Sequence, residues 1–239
     1  MAATSLFRRK VALLPALFAI TLLAGCGELG FNNWRWHQKL SVTVDVGGEI
    51  VSGSAVSSVL WWPNFFSGGW GGAAWLQEVQ GEAVVVDLGE RGVLFALLSR
   101  AGDSAYTAKL AGRMLTDTPA NGRREAVFAA VLASAGRVLE VPPERYPLLV
   151  TFTDIADPTT VKRVDPDDLA ATFGPGVALK RITLEITDEA VTEGEVEKKV
   201  LGWLETIGNT MLDGRSISTI KAKNRLANDL SAGSFATRR

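Results

Sequence analysis

The 239-residue chain has one cysteine, one histidine, two tyrosines and three methionines. A single Cys excludes an intramolecular disulfide, so packing alone must hold the fold. A single histidine, His37, excludes a multi-histidine metal cluster, and any Ser-His-Asp triad would have to use it. The G-x-S-x-G pattern of a strand-to-helix nucleophile elbow is missing too. Charge of either sign is not in excess: 25 basic residues face 26 acidic ones, which is no footprint for nucleic acid. There are no internal repeats. The apolar run Val11–Leu23 is 13 residues long. As a helix it would reach ~20 Å, short of the ~20 residues a membrane span needs.

What is present begins with that run. Arg8, Arg9 and Lys10 precede it, and the small residues Ala24 and Gly25 follow it. A basic n-region, a short h-region and small residues make a secretory signal peptide. The basic flank stays on the cytoplasmic side and the rest of the chain is sent outward. Leu23-Ala24-Gly25-Cys26 resembles the lipobox of bacterial lipoproteins. The resemblance covers residues 1 to 26 and implies a diacylglyceryl group on the Cys26 thiol, cleavage just before Cys26 and acylation of the new amine. Two other readings stand beside it: ordinary secretory cleavage with a free thiol, and an uncleaved anchor. Gly27 follows the cysteine where an Asp would retain a Gram-negative lipoprotein at the inner membrane, so the resemblance favours the outer membrane. The expected location is the cell envelope, lipid-anchored and facing the periplasm. Two or three acyl chains, at ~0.8 kcal/mol per buried CH₂, hold a protein on a bilayer where one chain holds it only marginally.

Cleavage would leave 214 residues with 22 basic and 26 acidic side chains. The expected organisation is a signal peptide (1–25), a tether (26–38), one α+β domain (39–212) and a basic, frayed tail (213–239). The sheet is expected to be mixed or antiparallel, with N-terminal hairpins and several short helices packed on it. Leu40, Val42, Val44 and Val46 alternate with polar residues, and Gly47-Gly48 turns that strand into 49–62. Residues 82–89 and 92–99 form a second hairpin through Glu90-Arg91, apolar enough to be covered on both faces. Residues 104–116 and 122–135 read as helices, the second placing Val127, Val131 and Leu132 on one face with Phe128 beside it and Gly136 as C-cap. Strands are expected at 146–154 and 178–188, a capped helix at 164–174 and an amphipathic segment at 195–207.

The candidate site is aromatic. Residues 60–75 hold Trp61, Trp62, Phe65, Phe66, Trp70 and Trp75 among four glycines. Such rings stack on sugars, sit at a membrane interface or contact a partner; equally, they fold back into the core. Gly69 to Ala74 formally fits a dinucleotide fingerprint, but Pro63-Asn64 precedes it and Gly81 follows, leaving no room for the helix it must open. No cofactor is expected. Asp154, Asp157, Asp165, Asp167 and Asp168 lack the alternate ligand spacing of a Ca²⁺ loop. Asp165 instead reads as an N-cap, with Pro166 at N1 and the next two acids on the helix dipole. His37, on the expected tether, reads as a surface residue.

Residues 81–98 and 147–187, with the Ser52–Val56 stretch, resemble a family of uncharacterised proteobacterial proteins. That resemblance implies a shared fold and carries no catalytic residue. The expected function is a non-enzymatic binding or interaction module anchored through Cys26, with the aromatic segment contacting lipid, protein or glycan and no nucleic acid. The alternatives are an envelope hydrolase using paired carboxylates and a structural envelope lipoprotein.

Overall fold

Apolar and polar residues alternate from Trp34 onward, and that period sets the first strand. In the computed structural model, which describes residues 33–64, 74–100, 102–116, 124–200 and 202–237, it runs Trp34–Val46 (β1). Trp34, Trp36, Gln38, Val42 and Val44 point inward. The strand therefore starts five residues before the expected domain boundary at 39, because Trp34 and Trp36 continue its buried face. Gly47 and Gly48 take φ of +66° and +98°, which only glycine adopts readily, and turn the chain into β2 (Glu49–Asn64). The Asp45 carboxylate closes that turn by accepting from Gly48 N at 2.7 Å.

Strand β9 (Val177–Thr187) lies antiparallel on the other side of β1, pairing Val42 with Ile182 and Leu40 with Leu184. Leu179 and Ile182 cannot share a face at period two. The register slips between Thr43 and Val44, which oppose Arg181 and Leu179, so Lys180 is the extra residue of a bulge. With β3 (Ala74–Glu82), β6 (Val138–Glu140) and β10 (Ala236–Thr237), the six-stranded order is β10-β3-β2-β1-β9-β6. A second sheet runs β4-β5-β7-β8 from Val84–Asp87, Val93–Ala96, Leu149–Phe152 and Val161–Arg163. Both sheets are antiparallel and the fold is α+β, mostly sheet. The helices are short: α1 (Tyr106–Leu115), α2 (Arg124–Leu132), α3 (Ala170–Phe173), α4 (Glu195–Val200), α5 (Trp203–Thr206) and α6 (Arg225–Asp229).

The chain divides into two compact units, Met1–Trp34 with Trp61–Leu76, and Arg35–Leu60 with Gln77–Arg239. In the first, the Trp34 and Trp75 rings stack at 4.3 Å with their planes 20° apart. The second holds the main core. Phe95 meets Phe152 and Phe235 edge-on, each at 5.7 Å, and Trp203 meets Phe235 the same way. The two sheets touch backbone to side of strand at Gly53, where a Cβ would sit 1.9 Å from Val85 O.

Three local expectations are corrected. The tail is not frayed through residue 237: Ala227, Leu230 and Phe235 are buried, and Asn228 is fully buried between Asp213, Ile217 and Thr219. Its basic residues mask a spaced apolar set. On α2, Val127 and Val131 are buried but Leu132 is 53% exposed, because the helix ends there and leaves its last residue beyond the contact; Gly136, with φ of +71°, comes four residues later. The 164–174 helix shrinks to α3. The Asp165 carboxylate closes a turn on Asp167 N, and Asp168, one residue before the N-cap Leu169, accepts from Ala171 N.

Candidate functional site

The expected aromatic surface is only partly available. Trp61 is 7% exposed and belongs to strand β2, so its ring is core and not loop surface. Trp62 and Trp75 are half-buried, and Leu76 beside them is 41% exposed. Phe65, Phe66, Trp70 and Cys26 lie outside the described residues. Of the dinucleotide-like motif, Ala74 begins a strand where that fingerprint demands a helix. The acids of 154–168 serve their own turns: Asp154 accepts from Ala156 N, and Asp157 from Thr159 N and its hydroxyl.

The second unit holds a cavity of about 770 Å³ that the sequence did not announce. One wall is the stretch between β5 and α1. There Arg100 and Asp103 pair across a tight turn, N to O at 3.1 and 2.8 Å. The Asp103 carboxylate is held by Lys109 at 3.1 Å and by Arg113 at 2.9 Å, both from α1. Arg163 enters from the end of β8. The opposite wall is the C-terminal segment. Met211 bridges to Ser231, and α6 brings Arg225, Leu226 and Asp229. Asn224 fixes α6 twice: its carbonyl oxygen accepts from Ala227 N at 3.2 Å, and its amide donates to Thr159 O at 2.8 Å. Ser231 and Ser234 cap the following turn reciprocally. The interior is mostly apolar, from Leu148, Met211, Leu226 and Leu230, with three arginines and Ser99 and Ser104 at its polar part. Sequence reasoning missed it because six of its fourteen lining residues come from the supposed tail; the signal was the spacing of Leu226 and Leu230 beside Arg225.

A second, polar cleft of about 890 Å³ is lined by Arg35 and His37 of β1, Ser58 of β2, Glu82 of β3, Glu193, and Glu197 and Glu205 of α4 and α5. His37 is therefore a strand residue and not on a tether. Its Nδ1 lies 2.7 Å from Glu189 O. A carbonyl only accepts, so Nδ1 is the donor in this contact. Glu82, 7% exposed, is committed elsewhere: its carboxylate accepts from the amides of Gly194, Glu195 (2.9 Å) and Val196 (3.1 Å), where α4 begins.

Three carboxylates are displaced, all downward. A hydrogen bond from Lys180 lowers Asp45, and one from Lys199 lowers Asp87. Burial works to raise Asp103, but hydrogen bonds from Lys109 and Arg113 outweigh it. Among the described residues no group of three or more His, Cys, Asp or Glu side chains is placed to hold a metal ion. No known family, curated protein or solved structure matches the chain.

Proposed function

We propose that the chain is a lipid-anchored cell-envelope protein whose folded part is a non-enzymatic binding module, held at the periplasmic face, on the outer membrane, through Cys26. The single observation that carries the binding reading is the cavity of about 770 Å³. Its size falls within the ~300–1,000 Å³ of small-ligand sites, and an apolar interior with a few polar groups is the lining such sites use. The acids in it already have partners. Asp103 is held by Lys109 and Arg113, and Asp229 accepts from Ser218 Oγ at 2.6 Å. What is left to meet a ligand is arginine, hydroxyl and apolar surface, which holds molecules in place and does little proton transfer.

The anchor rests on residues 1–26. Labelled palmitate is expected to enter the wild-type chain and not Cys26→Ser, and Cys26→Ser is expected to leave the membrane fraction. Intact mass with an unmodified sulfur overturns the anchor. The exposed share of the aromatic segment, Trp62 and Trp75, is the surface we assign to a lipid, protein or glycan partner.

One observation favours the hydrolase alternative. Glu193, Glu197 and Glu205 line the same cleft as His37. If that cleft hydrolyses an envelope polymer, Glu197→Gln and Glu205→Gln abolish the release of soluble fragments while leaving the melting temperature within ~2 °C, a shift that corresponds to less than 1 kcal/mol.

A further inference from the structure

We propose that the arginine-lined cavity binds an amphipathic organic anion: an apolar body carrying one carboxylate or phosphate head. This rests on the binding-module reading above and adds the ligand class. Arg100 and Arg163 line the cavity, and neither guanidinium makes a hydrogen bond or ion pair to another described residue. Arg225 has only Asp229, at 3.8 Å. A guanidinium presents a planar fork of donors that matches a carboxylate or phosphate in two parallel hydrogen bonds. The cavity's own acids do not satisfy that demand, since Asp103 is taken by Lys109 and Arg113. Ser99 and Ser104 add hydroxyls with no side-chain partner among the described residues. A free inorganic anion would need only these groups. The rest of the lining is apolar, and Leu148 and Leu230 are 6% and 4% exposed, forming a floor that rewards a hydrocarbon body. Met211 lines the same space with an unbranched, adaptable thioether. The charge pattern separates this cavity from the acid-lined cleft around His37, which repels the same ligand.

The test is a titration of the full chain, labelled with ¹³C at its methionine methyls, against decanoate, decyl phosphate, decanol, decyltrimethylammonium and inorganic phosphate. The Met211 resonance is expected to move with the two decyl anions while Met114, on α1, stays as the internal control. Binding of the decyl anions should be at least tenfold tighter than that of decanol, of the cation or of inorganic phosphate. Arg100→Gln and Arg163→Gln should each weaken the decyl anions about tenfold and leave the melting temperature unchanged, because neither side chain holds another part of the protein. Equal binding of anion, alcohol and cation, indifferent to both substitutions, overturns the anion while the cavity stands as a ligand site. Inorganic phosphate binding as tightly as decyl phosphate overturns the apolar body. If no decyl compound moves Met211, the ligand proposal fails, and the cavity no longer supports a binding module.

Discussion

At the scale of single residues, packing and charge act at identifiable atoms. Gly53 has ordinary backbone angles, so its requirement is space and not conformation: a methyl there would stand 1.9 Å from Val85 O and 2.7 Å from Val85 C. Backbone cannot step aside as a side chain can. Gly53→Ala is expected to destabilise by about 3 kcal/mol or more, the upper range for overpacking, and calorimetry should show a melting temperature lower by ~6–12 °C. Asp103 gives a test in pH. Its carboxyl is depressed in the folded state, so it adds stability above its unfolded value of about 3.9 and loses it as pH falls through the folded value. Both partners are partly exposed, which limits the contribution to about 1 kcal/mol. In urea melts Asp103→Asn should be weaker than wild type at pH 7, with the difference shrinking below about pH 4. A difference that persists undiminished at pH 3 would assign it to shape and not to charge.

Single elements are held by side chains that come from far along the chain. Helix α4 is six residues long, too short to persist alone, and its first amides are collected by Glu82 from β3. The carboxylate is buried and accepts three amides. Glu82→Ala should therefore cost about 2–3 kcal/mol in denaturant unfolding, because it strands buried donors, and Glu82→Gln should cost less because one oxygen still accepts. Hydrogen exchange at Glu195 and Val196 should speed up in the Ala variant before the rest of the protein responds. The same dependence explains why this element was only partly legible. Residues 195–207 show an amphipathic period, and the break between α4 and α5 falls at Gly202, with φ of +81°, which the period alone passes over. Strands fared better. Val42 and Val44 are fully buried as their alternation required, and the bulge at Lys180 is where the alternation of 178–188 itself failed.

For the whole molecule the C-terminal segment decides most. Phe235 is fully buried against Phe95, Phe152 and Trp203, and Ala83 N donates to Phe235 O at 2.6 Å. Phe235→Ala should destabilise by about 3–5 kcal/mol, as large aromatic deletions in cores do. A chain ending at residue 212 should lose near-ultraviolet dichroism and cooperative melting. A truncated chain that melts like wild type would mean the segment is an appendage. It also carries Arg225, Leu226 and Leu230 into the cavity, so one piece of chain supplies both core and cavity lining.

By itself the sequence placed strands near 39–46, 49–62, 82–89, 92–99, 146–154 and 178–188, and the apolar face of the first of them. These depend on neighbours one to four positions apart, where side-chain period and turn chemistry act directly. Only the tertiary structure decided that Trp61 is core, that His37 stands on a strand, that the basic tail closes the sheet edge at Glu82 and Gly81, and that arginines from three segments line one cavity. Each of those joins residues far apart in the chain. A contact between distant residues leaves no local period to read, because the free energy that selects it comes from excluding water between surfaces that meet only after the chain has folded.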